Sequence, residues 1–165
     1  MKKQKLATST ANIYPYLCFH IKTEMEKETE SHHFPVKLQL RLDWSEMDLF
    51  GHINNVMYFK FIQASRVNFW EHAGFMNRYF KDKIGPILVS SGCQFKKPLF
   101  YPDNIVVEVR IEFIKTTSMG LHHRILNSKN EITAEAHDVI VLYDFANNEK
   151  VPIPIELRTA MEKLK

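Results

Sequence analysis

From Val36 to Asp43 the chain alternates strictly, with Val36, Leu38, Leu40 and Leu42 on one side and Lys37, Gln39, Arg41 and Asp43 on the other. That period of two predicts a strand with one face on a core and one in water. The same alternation recurs at 104–114, where Ile105, Val107, Val109, Ile111 and Phe113 are separated by Glu108, Arg110 and Glu112. Further strands are predicted at 87–95, 121–126 and 132–144. Pro98, Pro102 and the run Asn127-Ser-Lys-Asn130 supply the turns between them.

Between the first strand and the rest the pattern changes. Residues 54–73 read as one helix, about 30 Å long at 1.5 Å per residue, with Asn54 as N-cap and Gly74 just past the end. Its apolar residues (Val56, Met57, Phe59, Phe61, Ile62, Val67, Phe69, Trp70) run almost all the way round, so the expectation is a helix buried on several sides. Lys60, Gln63, Arg66 and Glu71 exclude a membrane span. Residues 154–164 read as a short terminal helix with Pro154 near its first turn. Residues 1–33 show a small aromatic patch (Tyr14, Tyr16, Phe19), then a charged run at 22–30, and no sustained period. They are expected to form an extension outside the main fold, partly mobile, leaving 34–165 as a single domain. One strand, one long helix, then a run of antiparallel strands is an α+β pattern in which a sheet wraps a central helix.

Composition narrows the function more than the fold. The 165 residues are 45% apolar and 25% charged, ordinary for one globular domain. With 22 Lys+Arg against 19 Asp+Glu the net charge is +3, scattered rather than clustered. This argues against a nucleic-acid-binding surface and leaves room for mild attraction of an anionic substrate. Cys18 and Cys93 make no disulfide framework, so a cytoplasmic location is the expectation. Lys2, Lys3 and Lys5 are followed by Thr8, Ser9, Thr10, Asn12 and Pro15 instead of a continuous apolar core, so no signal peptide is expected. No run reaches the roughly 18 apolar residues of a membrane span. His122 and His123 are strand neighbours that face opposite sides and cannot chelate one metal together. The His32-His33 pair lacks further ligands, and no metal is expected. Cys93 shares a face with Val89, Ser91 and Phe95 and reads as a packing residue.

The chemistry concentrates in residues 48–58, Asp-Leu-Phe-Gly-His-Ile-Asn-Asn-Val-Met-Tyr. A carboxylate, Asp48, stands three residues before Gly51, in a loop that runs into the start of the long helix. Unpaired backbone N–H groups and the positive end of the helix dipole are available there. A negative group beside an anion-stabilising pocket is what hydrolysis of an activated acyl group requires. Gly51 is expected to permit a tight or positive-φ turn. His52 either orients substrate or water or hydrogen-bonds the turn. Asn54 is a cap, and Asn55 matters through its backbone N–H.

The segment from Arg41 to Tyr58, with Arg66, Phe95-Lys-Lys-Pro98, Tyr101-Pro-Asp103 and Val151-Pro-Ile-Pro154, resembles the hotdog-fold acyl-CoA thioesterases of the 4-hydroxybenzoyl-CoA thioesterase type over about residues 36–164. The resemblance implies a hotdog fold with a sheet of about five strands around one central helix. It also implies a homodimer or homotetramer and hydrolysis of an acyl-CoA without metal or cofactor, coenzyme A entering as part of the substrate. Asp48 would be the catalytic carboxylate and the helix-start N–H near Asn55 would polarise the carbonyl. A thioester leaves as a thiolate of pKa about 8.5, so little general-acid help is needed. Asp48 would attack directly or activate a water. Tyr58 and Gln63 are expected substrate contacts. Lys96 and Lys97, with Thr117 and Ser118 after the long strand, are the expected contacts to the coenzyme's phosphates. Many relatives carry Glu where this chain has Gln63, which cannot titrate, so the chemistry would rest on Asp48. Other readings are hydrolysis of acyl-carrier-protein thioesters, a non-catalytic acyl-thioester-binding protein, and acyl-thioester hydration. The last needs a helix His, and His72 sits at the far end.

Overall fold

The computed structural model describes residues 33–165, so the expected extension lies outside the described residues except for its last member. Six strands and three α-helices follow in order. They are β1 (Val36–Arg41), α1 (Asn55–His72), α2 (Phe75–Asp82), β2 (Ile84–Phe95), β3 (Asn104–Ile114), β4 (Ser118–Leu126), β5 (Ile132–Asp144), β6 (Glu149–Lys150) and α3 (Ile155–Glu162), with a 3-10 turn at Trp44–Glu46. The sheet is antiparallel in the order β1-β3-β4-β5-β2, and the short β6 adds to the end of β5. The expected α+β layout and its five main strands are present. The order, with β1 and β2 at opposite edges, is set by tertiary pairing.

Helix α1 starts as the sequence dictates. Asn54 is extended (φ −61°, ψ 139°) and its side chain accepts the Val56 N–H. At the other end Gly74 takes φ +80° and lets the chain leave in the left-handed conformation. It then starts a second helix, α2, which the strand-and-turn reading missed. Phe75 and Tyr79, and Met76 and Phe80, repeat at i, i+4 and carry the signal. Strand β2 begins at Ile84 rather than 87, because Pro86 is tolerated on an edge strand.

The core lies between α1 and the sheet in two apolar clusters. One gathers Phe61, Ile62 and Tyr58 with Leu42, Ile105, Val107 and Ala136. The other gathers Phe69, Trp70 and Phe75 with Val109, Ile140 and Leu142, and α3 closes it with Leu157 and Met161. Each fully buried Phe or Leu contributes about 2 kcal/mol by removal from water. Between the clusters sits a buried polar contact. Arg66 Nε lies 2.7 Å and His123 Nε2 3.1 Å from the same Asp138 oxygen.

The expectation that α1 is buried on several sides is corrected. Among the described residues it packs on one face only, and Val56 (64% exposed), Phe59 (39%) and Val67 (42%) face outward beside Lys60, Gln63 and Glu71. A single sheet offers a helix one surface, and on β2 Leu88, Val89 and Phe95 are exposed too, Phe95 while meeting Tyr58 and Phe59 of α1 edge-on.

Candidate active site

The loop ahead of α1 closes on itself. Met47 and Ile53 bridge, the Asp48 N–H bonds the His52 carbonyl (2.9 Å) and the Gly51 N–H bonds the Asp48 carbonyl (3.2 Å). Gly51 adopts φ +84° as expected, a conformation that side chains resist. Below the loop Glu46 is buried. Its carboxylate accepts the Asp43 N–H and the Lys60 ammonium, and its carbonyl accepts the Asn54 N–H. The loop is thereby fixed to the first turn of α1.

This folding brings Asp48, His52 and Asn55 to one cavity of about 290 Å³, lined also by Ile53, Tyr58, Phe95, Lys96, Lys97 and Pro98. Asp48 Oδ1 accepts the Phe50 N–H at 2.8 Å, and Oδ2 lies 3.2 Å from His52 Nδ1. At the helix start the Val56 N–H is taken by the Asn54 side chain and the Met57 N–H by the Asn54 carbonyl. The Asn55 amide, one residue earlier, meets no acceptor among the described residues. It is a free donor at the positive end of α1, aligned by the cap.

The other expected site residues divide. Tyr58 is in the cavity wall, but its buried hydroxyl accepts the Leu99 N–H (3.0 Å) and reaches the Lys97 carbonyl (3.4 Å). It ties α1 to the 96–99 loop, and burial pushes its phenol up from the usual value. Lys96 and Lys97 line the cavity, held by N–H bonds from both to the Thr133 carbonyl. Their ammonium groups are already ion-paired, Lys96 with Glu135 and Lys97 with Glu131 (2.6 Å). Gln63 is exposed on the outward stripe of α1, outside the cavity wall. Thr117 and Ser118 lie at the far end of the sheet. Ser118 pairs with Val141 while Lys96 bonds Thr133, a separation of about 27 Å along β5 at 3.4 Å per residue. Within one chain they are not part of this site. Glu46 and Lys60, which fix the loop, carried no sequence signal beyond their charge.

His123 and His122 face opposite sides, as the strand reading requires. His123 is fully buried against Asp138, whereas His122 stacks on His137 with centroids 4.4 Å apart. Burial, with a lesser push from Asp138, raises the Cys93 thiol to about 11, which suits a packing residue and not a nucleophile.

Fold and cavity together define a class, a curled antiparallel sheet on one long helix with a carboxylate at the helix start. A family model described as the thioesterase-like superfamily matches residues 42–161. The chain belongs to that superfamily and has the hotdog fold. The PA2801 protein of Pseudomonas aeruginosa is similar, with 28% identity, a TM-score of 0.70, and 78% of this chain and 98% of that one covered. BH1999 gentisyl-coenzyme A thioesterase is similar at 26% identity and a TM-score of 0.68, with 76% and 98% covered. A protein of Aquifex aeolicus (strain VF5) named as an esterase is 29% identical over 79 residues, 47% of this chain; the match spans 62% of that relative's length.

Proposed function

We propose that this protein hydrolyses acyl-CoA thioesters to a carboxylic acid and coenzyme A. The observation that carries the reading is that Asp48 and Asn55, whose amide meets no acceptor among the described residues, line one cavity. Asp48 drives attack on the thioester carbon, and the Asn55 N–H with the helix dipole holds the developing oxyanion; losing such a donor costs on the order of a hundredfold or more in rate. The name of the gentisyl-coenzyme A enzyme supports coenzyme A as the thiol. Lys97 also borders a second groove with Lys129, Ser128 and Asn127, where a phosphate would compete with Glu131 for its ammonium. A panel of acyl-CoAs and carrier-bound acyl thioesters, followed by thiol release, tests the proposal. Release is expected from acyl-CoA and at least a hundredfold less from Asp48→Asn. Turnover of carrier-bound substrate alone would move the activity to carrier proteins, and an Asp48→Asn enzyme as fast as wild type would remove Asp48 from its role.

The reading includes a homodimer joined through β2. The Phe145 N–H bonds the Lys83 carbonyl, so ahead of the bulge at Leu88/Ser90 the odd residues face β5 and Ile84, Pro86 and Leu88 face the free edge. Past the bulge the Lys96 N–H bonds Thr133, and the free-edge residues become Ser91, Cys93 and Phe95. Two copies related by a two-fold axis can then pair Ile84 with Phe95, Pro86 with Cys93 and Leu88 with Ser91. That pairing would cover an edge of 12 residues and the apolar residues exposed beside it.

A further inference from the structure

We infer that His52 is the group that takes the proton from the attacking water, and that Asp48 is the positioning residue that makes it able to. The inference rests on the hydrolase reading and fixes how its carboxylate acts. The His52 Nδ1 has two neighbours, Asp48 Oδ2 at 3.2 Å and the Ile53 carbonyl at 3.4 Å. A carboxylate and a carbonyl oxygen can only accept, so Nδ1 carries the ring proton and Nε2 of the neutral imidazole holds the lone pair. Asp48 Oδ1 accepts the Phe50 N–H, and Oδ2 lies at ion-pair distance from the imidazole, whose Nδ1 hydrogen bond runs to the Ile53 carbonyl. Direct attack by Asp48 would draw its carboxylate away from the Phe50 N–H or the imidazole, whereas proton transfer at Nε2 leaves it in place and strengthens its attraction to the ring.

The turn is built for this pairing. Gly51 at φ +84° reverses the chain between the two residues, and the Asp48 N–H to His52 carbonyl bond clamps their backbones. The imidazole lines the same cavity as Asn55. The other charged groups of that cavity are Lys96 and Lys97, each paired to a glutamate, so Asp48 is the anion left to stabilise an imidazolium.

The step balances as follows. Water oxygen bonds to the thioester carbon while its proton passes to Nε2, and the carbonyl electron pair moves to oxygen at the Asn55 N–H. Collapse breaks the C–S bond, the thiolate leaves with the electron pair, and the Nε2 proton goes to sulfur. The products are one acid and one thiol from one thioester and one water. Asp48 stays ionised throughout.

Three measurements test it on the full chain. His52→Gln should lower kcat for thiol release on the order of a hundredfold with little change in KM, and the acidic limb of the kcat–pH profile should vanish with it. In a single turnover in ¹⁸O-water the label should enter the product acid and not Asp48. By ¹⁵N NMR the wild-type ring should show the Nδ1–H tautomer, which Asp48→Asn should disturb. A His52→Gln enzyme with wild-type kcat, label recovered in Asp48, or an Nε2–H ring in the wild type would each overturn the assignment. The tautomer result stands whether or not any acyl-CoA turns over, so failure of the hydrolase reading is distinguishable from failure of this one.

Discussion

Gly51 and Asn54 show how much of the site is decided by single backbone positions. A Cβ at Gly51 would meet nothing within 4 Å, so Gly51→Ala is a conformational change and not a clash. Holding a non-glycine residue at φ +84° costs about 1 kcal/mol. Because the Asp48–His52 pairing hangs on that turn, thiol release should fall further than thermal stability does. Parallel kinetics and thermal unfolding of Gly51→Ala check this; equal, small losses in both would detach the turn from the site. Asn54→Ala removes the acceptor of the Val56 N–H and should destabilise by about 1 kcal/mol in urea unfolding. It also frees a second amide next to Asn55, which loosens the alignment of the proposed oxyanion donor.

At the scale of elements, α1 is held to the sheet by two apolar clusters and one buried charged contact. Burial alone would push the Asp138 carboxyl up, yet the His123 hydrogen bond and the Arg66 guanidinium outweigh it and hold it below the usual range. Burial likewise keeps His123 below its usual value, and so neutral near pH 7. Asp138→Ala would leave Arg66 inside without its partner and should cost about 3 kcal/mol, measured as a shifted urea midpoint at unchanged slope. The outer face of the sheet behaves differently. Burial, then His137 and Arg110, drives His122 down to about 4, against the smaller opposing pull of Glu135 and Glu112. The unfolded chain binds that proton near pH 6.5 and the folded one resists it until about 4. Stability from this site is therefore complete above pH 6.5 and is lost as pH falls through that window. His122→Gln should flatten the decline between pH 6.5 and 4 in unfolding experiments; an unchanged slope there would place the acid sensitivity elsewhere.

For the whole molecule the decisive surface is the free edge of β2. In the proposed pairing Pro86 of one copy lies opposite Cys93 of the other, at a position where the Cys93 N–H can bond the Pro86 carbonyl but Pro86 has no N–H to return. The Cα atoms there are about 5.5 Å apart, within reach of a disulfide. Pro86→Cys in a chain with Cys18 replaced by Ser should therefore oxidise to a covalent dimer, and adding Cys93→Ser should abolish it. A chain that stays monomeric in solution, or a cross-link that survives Cys93→Ser, would rule out this register. In that proposed pairing the bulge at Leu88/Ser90 lies beside the two-fold axis.

Periodicity was sufficient for the elements that carry long, regular patterns. β1, β3 and β5 alternate cleanly, α1 has a good cap at Asn54 and a glycine stop at Gly74, and all fall where the pattern puts them. The residues 48–55 were legible as a unit because a short loop between a strand and a helix can place them in few ways. Local sequence could not show that β1 and β2 form opposite edges, because strand order is a matter of long-range pairing. Nor could it show that α1 turns an apolar stripe outward, because composition does not say how many surfaces will be there to cover it. The lysines at 96 and 97 reached the cavity as expected, but the glutamates that occupy them come from the β5 region, far away in sequence. Which residue types stand at the helix start is written in the chain. Their partners come from the fold, because the proton's position on His52 depends on which oxygens the folded turn brings to it.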